Sequence, residues 1–393
     1  MTSSSLTDVH ITGWAHSAFG KLPSTLEELV VEVTRNALAS AEVDATDIDA
    51  IYYGQYNAGM HPLTFGSSLP LQASDELWGV PATRVENACA SGAAAVQQGI
   101  LALRAGVARN VLVVGVEKMT QAGTEGVREA LIGADYEMAG TPYETGFAGR
   151  FALVADEYGE RYGDPGDTLA RIAAKSHQNA RANPYAHLRK DLDVEFCRTV
   201  SAANPLVAGM LRRTDCSPVS DGAAALVLSA GSVPHSSTHE SVRFLGIGQA
   251  TDFFPETKRD RVAFAASRLA WDRALGMAEV EVADLSFVEL HDCFTIAELA
   301  LYETLGLAPQ GQGCRLLDDG TVYRDGRMPV NPSGGLKSKG HPVGATGVSQ
   351  HVLAAMQLTG TAGGMQVPNA SIAAVHNMGG LGIANYVSVL RAG

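Results

Sequence analysis

Arg84-Val85-Glu86-Asn87-Ala88-Cys89-Ala90-Ser91-Gly92 is the stretch from which the architecture can be read. Arg84 to Asn87 reads as a strand. Ala93-Ala94-Ala95-Val96-Gln97-Gln98-Gly99-Ile100-Leu101-Ala102-Leu103 has good helix propensity, with apolar residues at helical spacing. A cysteine therefore stands at a strand-to-helix turn, where exposed backbone N–H groups and the helix dipole favour a thiolate. Small residues beside the sulfur leave room for a substrate. The helix is expected to stop near Arg104-Ala105-Gly106, and Asn110 to Val116 is an apolar run typical of a strand buried on both faces. Strands alternating with helices predict a parallel-rich α/β sheet.

Outward from this unit, Val9 to Gly13 and Ile48 to Gly54 read as strands. Ser24 to Ala41 reads as a helix with Ser24 as N-cap and Glu27 closing a capping box. Between Glu117 and about Ser217 the texture changes to repeated glycines and short helices, such as Thr168 to Arg181, with a breaker at Asn183-Pro184. That region reads as a lid-like insertion, and Asp221 to Ser229 resumes the sheet. A second half begins near Val242. It holds a strand at Val288-Glu289-Leu290, helices over Thr295–Leu305 and Thr346–Leu358, and closing strands over Ile372–Val375 and Ile383–Leu390. The similar placing of Asp221–Ser229 and Gly380–Leu390 points to an internal duplication. The expected division is 1–118 with 218–241, an inserted 119–217, and 242–393; Met1 to Ser5 reads as a short frayed end.

Composition narrows the class. At 393 residues there is chain enough for two or three packed units, and 46% hydrophobic with 18% charged residues is ordinary for a globular protein. A net charge of -13 argues against a general nucleic-acid or anionic-membrane surface, though it leaves room for a local basic patch. Five irregularly spaced cysteines form neither a disulfide framework nor a zinc pattern, which favours a reducing compartment. With no leader and no spanning run, the expectation is a cytoplasmic protein without a metal.

Three distant stretches supply chemistry to match Cys89. They are Glu289-Leu290-His291-Asp292-Cys293-Phe294-Thr295, the glycine-rich Asn331 to Gly347 around Gly340-His341-Pro342, and Val375-His376-Asn377-Met378-Gly379-Gly380-Leu381-Gly382. Carbon–carbon chemistry beside a thioester needs a nucleophile, an acid/base for the α-proton, and donors for enolate and tetrahedral oxyanions. Gly334-Gly335-Leu336-Lys337-Ser338 lacks the four-residue gap of a phosphate loop, so nucleotide hydrolysis is rejected.

In order and spacing the four stretches resemble the thiolase superfamily, and His-Asp-Cys-Phe resembles its sterol-carrier-protein-type and archaeal-like branch. The resemblance implies a five-layer αβαβα sandwich of two similar halves with an inserted loop domain. It also implies a coenzyme A-dependent acyltransferase, either an acetyl-CoA acetyltransferase or a 3-ketoacyl-CoA thiolase, with acyl-CoA and CoA as substrates and no permanently bound cofactor. A homodimer or tetramer, and in some relatives a small OB-fold partner, come with the family.

The same resemblance assigns roles. Cys89 is the nucleophile, with its own N–H near the acyl oxygen, and His341 activates it. His291 takes the place of the Asn in the Asn-Glu-Ala-Phe stretch of other thiolases and donates to the thioester oxygen; Cys293 is the acid/base. Common thiolases carry that base in a Cys-x-Gly loop. Here His376 is expected in its place with Asn377 beside it, and N–H groups near Met378 or Gly379 complete a second oxyanion hole. Glu289 and Asp292 are read as structural, and Cys197, Cys216 and Cys314 as bland. His177, Asn179, Asn183 to Tyr185 and His187 resemble the thiolase lid, while Lys175, Arg181, Arg212 and Arg213 are cations with no assigned site. Two other classes compete: a thiolase-fold carbon–carbon lyase, whose relatives tend to lack the nucleophilic cysteine, and a non-catalytic acyl-CoA-binding subunit.

Overall fold

A computed structural model describes residues 8–62, 64–138, 144–231 and 240–393; Met1 to Ser5, read as frayed, lies outside them. The first half runs through strand β1 (Val9–His16), helix α1 (Leu26–Ala41), strands β2 (Ala50–Gly54) and β3 (Ala82–Val85), helix α2 (Ser91–Arg104) and strand β4 (Asn110–Glu117). Then come helices α3 (Gly123–Ile132), α4 (Gly146–Tyr162), α5 (Gly166–Ala180) and α6 (Val194–Arg198), and a hairpin of β5 (Leu206–Ala208) and β6 (Leu211–Arg212). Strand β7 (Gly222–Ala230) returns to the sheet. The second half comprises β8 (Val242–Thr251), α7 (Ala265–Ala278), β9 (Phe287–Glu289), α8 (Thr295–Thr304), α9 (Arg315–Asp318), α10 (Thr346–Leu358), β10 (Ile372–Gly379) and β11 (Ala384–Ala392).

Nine strands form one sheet in the order β3-β2-β4-β7-β1-β8-β11-β10-β9. Only β2 with β3, β2 with β4, and β9 with β10 are parallel neighbours. The sheet is therefore mixed, not parallel-rich. The reason is that β7 and β11 each come back antiparallel to the strand before them in the fold, β11 through the short turn at Gly380–Ile383. The run β2-β4-β7-β1 repeats the order and directions of β9-β10-β11-β8, so the duplication is visible in topology. The halves join through His10 opposite Arg243 and Ile11 opposite Val242.

Strand alternation sets the layers. Along β4, Val111 and Val113 pack with Val96 and Ile100 of α2 and Val348 and Val352 of α10. Leu112, Val114 and Val116 face the other way, onto Leu29, Val30 and Val33 of α1. In the second half Ala373 and Val375 join the central layer, while Ile372 and Ala374 pack outward with Trp271 and Ala274 of α7. Helices α2 and α10 are thus sandwiched between the halves of the sheet, with α1 outside one and α7 and α8 outside the other, giving the expected αβαβα order. Near β1, the helix cap falls one residue later than read from sequence: Thr25 is the N-cap and Glu28 completes the box, because Thr25 has the extended backbone a cap requires.

Candidate active site

The N-termini of α2 and α10 meet at the centre of the molecule, and two glycines allow it. A Cβ on Gly92 would lie 2.7 Å from Gly344 O, and one on Gly347 would lie 2.2 Å from Ala93 N. Cys89 sits two residues before α2, on a turn in which Ala88 takes a left-handed φ of +49°, rare for alanine. Ser91 ties that turn, its hydroxyl donating to Ala88 O at 2.6 Å and accepting from Asn87 N at 2.9 Å. The result aims the sulfur at His291 and His341. Cys89 Sγ and one ring nitrogen of each histidine lie within 4.8 Å of one another, and the two rings stand edge to face at 88° with centroids 5.1 Å apart.

Hydrogen bonds give the two rings opposite tautomers. His341 Nδ1 lies 2.6 Å from Thr346 Oγ1, whose own proton is directed to Pro342 O at 3.0 Å. Thr346 must accept, so His341 carries its proton on Nδ1 and presents a lone pair at Nε2. Asn377 Nδ2 donates to His291 Nδ1 at 2.8 Å, so His291 carries its proton on Nε2. Neither Nε2 has a protein partner, although both rings are buried. One histidine offers a base and the other a donor, facing the same sulfur. For a metal, the trio is one lone pair short while His291 holds this tautomer.

Protonation follows from burial. Desolvation pushes the Cys89 thiol up to about 12, against N–H donation to the sulfur from Gly380 and from Cys89 itself. The turn and helix dipole therefore do not leave a standing thiolate; burial wins. Cys293 is raised as well, by burial first, then by the Cys89 and Asp292 charges, and its neighbours do not draw it down to working pH. Burial and the Lys339 ammonium hold His341 down to about 3, and burial with His341, His376 and Lys339 holds His291 well below 6.5. All four groups rest neutral.

Strand β10 continues through His376 and Asn377 to Gly379, where a loop was expected. Alternation then sends the two side chains to opposite faces. Asn377 goes with Val375 to the central layer and reaches His291, whereas His376 goes with Ala374 and Met378. His376 thus does not take the Cys-x-Gly cysteine's place in the site. The donor at the Cys89 sulfur is Gly380, one residue beyond the Gly379 read from sequence.

A buried polar frame holds the His341 loop. Glu289 accepts from Ser333 N and Oγ at 3.1 and 2.7 Å, and Asp292 accepts from Leu336 N at 2.7 Å. From α5 and the turn after it, Asn179 donates to Asn331 O and Asn183 to Ser333 O, while Lys337 donates to His177 Nε2. Lys175 pairs with Glu298 at 2.5 Å inside the core, and Glu298 also accepts from Asn331 Nδ2 at 2.8 Å. Lid-like residues here brace the His341 loop. Lys175 and Arg212 are committed to Glu298 and Asp215, and Arg181 pairs with Asp191 at the surface. Sequence reading missed Thr346 and the orienting role of Asn377, though a threonine five residues after a histidine at a helix start was available as a signal.

Two family models cover the chain: "Thiolase, N-terminal domain" matches residues 9–232 and "Thiolase C-terminal domain-like" matches residues 248–392. An acetyl-CoA acetyltransferase of Methanothermobacter thermautotrophicus is 36% identical over 377 residues, which is 95% of this chain and 97% of that protein. Human sterol carrier protein 2 is 32% identical over 385 residues, 93% of this chain and 68% of that protein. Among solved structures, the Ltp2-ChsH2(DUF35) aldolase superposes with a TM-score of 0.83 at 20% identity, covering 100% of this chain and 99% of that one, a likeness of fold. Both relatives agree with the branch expected from His291 to Phe294. With both models matched and these identities sustained over nearly its whole length, this chain belongs to the thiolase family.

Proposed function

We propose that the protein makes and cleaves 3-ketoacyl-CoA by a ping-pong route through an acyl group on Cys89. The observation that carries this reading is the convergence of Cys89 Sγ with a histidine lone pair and a histidine N–H inside 4.8 Å. In cleavage, His341 Nε2 takes the Cys89 proton as the sulfur attacks the 3-keto carbon. The bond between carbons 2 and 3 breaks, its electron pair goes to carbon 2, and Cys293 supplies the proton that makes acetyl-CoA. Free CoA then gives its thiol proton to Cys293 and attacks the acyl carbonyl. Cys89 leaves and recovers its proton from His341. Synthesis is the reverse.

The neutral resting state fits this sequence, because charge appears only as bonds change. The Cys89 and Gly380 N–H groups would hold the acyl oxyanion, and His291 Nε2–H with protonated His341 would hold the enolate oxygen. Coenzyme A is substrate here, not a resident cofactor. For this reading we keep the division into 1–118 with 218–241, 119–217 and 242–393, a homodimeric or tetrameric assembly and a cytoplasmic setting; among the described residues no helix is long and apolar enough to cross a membrane. A small OB-fold partner would belong to the lyase reading, which the retained Cys89 disfavours.

Intact-protein mass spectrometry with acetoacetyl-CoA tests the proposal. Native protein should gain one acetyl adduct that free CoA discharges, and Cys89→Ala should gain none. Cys293→Ala should still be acylated by acetyl-CoA, yet lose carbon–carbon bond formation by about 10²–10⁴-fold. Near-normal turnover of Cys293→Ala would reject its role, and a full set of substrates leaving no adduct would reject the activity.

A further inference from the structure

Cys89, His291 and His341 carry the donor chemistry of a borderline-soft cation site. Their ligand atoms lie within 4.8 Å of one another. Thiolate and imidazole are the ligands zinc(II) favours, and a tetrahedral zinc holds such atoms about 3.3–3.6 Å apart. The trio therefore has to close by at most about 1.5 Å. His291 Nε2 and His341 Nε2 both lack a protein partner, in residues that are only 0% and 7% exposed. Cys89 and His341 keep a trace of exposure, so the trio is reached from solvent.

The support that metal-binding histidines need is nearly in place behind the two rings. His341 Nδ1–H donates to Thr346 Oγ1 at 2.6 Å, which leaves the Nε2 lone pair free. His291 is one step away. Asn377 Nδ2 donates to its Nδ1 at 2.8 Å, and the Asn377 amide oxygen has no partner. A half-turn of that amide brings its oxygen to Nδ1, draws the ring proton there and frees the Nε2 lone pair. One hydrogen bond replaces another, and one unpartnered amide atom replaces another. Both histidines then donate from the far nitrogen to a protein oxygen, as metal-bound histidines do. Glu117 and Glu86 act on the sulfur as negative charges, against the Lys339 ammonium on the His341 side.

We propose that Cys89, His291 and His341 together form an inhibitory zinc(II) site, with water in the fourth position. On binding, the Cys89 thiol gives its proton to solvent, and its sulfur and the two Nε2 atoms each bond the cation. Nothing is oxidised or reduced. The occupied form has neither a free nucleophile nor a free base, so it cannot accept an acyl group. Binding of the cation stands on the geometry alone, while its effect on acylation rests on the thiolase reading.

The test is titration of the metal-free native protein, Cys89→Ala, His341→Ala and Asn377→Asp with buffered zinc, with cobalt(II) spectra alongside. Native protein should take up one zinc per chain. Cobalt(II) should give it a thiolate charge-transfer band and the strong d–d absorption of a tetrahedral site; this measurement needs no variant to fold. Cys89→Ala and His341→Ala should lose affinity by more than about 100-fold, beyond the effect of losing a supporting partner. Asn377→Asp, whose carboxylate accepts from His291 Nδ1–H, should bind zinc about 10–100-fold more tightly, a gain that a merely structural role would not produce. Zinc should also block acylation of Cys89 by acetoacetyl-CoA, a step that releases acetyl-CoA and no free thiol to compete for the metal. Zinc affinity that Cys89→Ala and His341→Ala leave unchanged, or a cobalt spectrum without the thiolate band, overturns the site. If no 3-ketoacyl-CoA acylates the metal-free protein, the thiolase reading fails instead, and the titration still decides the metal site.

Discussion

Replacing Asn377 by aspartate changes an amide donor to a carboxylate and should invert His291. The native amide donates to Nδ1 at 2.8 Å and leaves the ring proton on Nε2, facing Cys89. A carboxylate at the same place accepts, and a charged hydrogen bond of about 1.5–3 kcal/mol favours the Nδ1–H tautomer by one to two orders of magnitude. Nε2 would then turn a lone pair towards the oxygen it is meant to stabilise. Loss of one such donor costs about 10²–10³ in kcat, equivalent to about 2.7–4 kcal/mol. Saturation kinetics of acetoacetyl-CoA thiolysis would read the loss, and nitrogen NMR of the imidazole rings would read the tautomer. The expected result is a fall in kcat with Cys89 still acylated. An unchanged kcat, or a native His291 protonated on Nδ1, would refute the reasoning.

Three further outcomes follow from the same groups. Lys339 is buried, donates to Ser349 Oγ at 2.8 Å and opposes a charge on His341. Lys339→Met should therefore move the acid limb of the kcat/KM profile to higher pH, whereas Ser349→Ala, which keeps the ammonium, should not. Lys175→Met strands Glu298 without its cation and should destabilise the protein by about 3–5 kcal/mol in urea titrations; adding Glu298→Leu should return part of that loss. Stability should peak near pH 6.5. Burial holds His291, His341, His351 and His376 below 6.5, so the unfolded chain takes up protons first and each removes up to about 1.4 kcal/mol per unit as pH falls. Glu117 and Asp292, raised by burial to about 7 and about 8, act in the opposite sense, and their contribution is lost as pH rises through those values. Denaturant midpoints at pH 5 and pH 8.5 should both fall below the value at pH 6.5.

The candidate reacting groups could be read from the sequence because each sits in a short motif whose residue types are chemical in themselves. Cys89, His291, Cys293 and His341 were all legible that way, and three of them meet inside 4.8 Å. What could not be read was orientation. Whether Asn377 or His376 reaches the site depends on β10 remaining a strand up to Gly379, and a one-residue difference there exchanges faces. The protonation states were also hidden, since a helix N-terminus argues for a thiolate and only the enclosed position of Cys89 reveals that desolvation outweighs it. Glycine-rich texture made the insertion look like a detachable cover. Its helix α5 proves to be bolted to the His341 loop, because Lys175, Asn179 and His177 find partners far away in sequence.

The repeated strand order has an engineering consequence. Cys89 precedes α2 of one copy, while His291, Cys293 and His341 come from the other copy, so neither copy alone owns the complete set of proposed reacting groups. A gene divided between β7 and β8 would encode two fragments that are each inert and that recover turnover only by reassembling along the α2–α10 seam. Such a pair would serve as a split reporter whose signal is thioester cleavage.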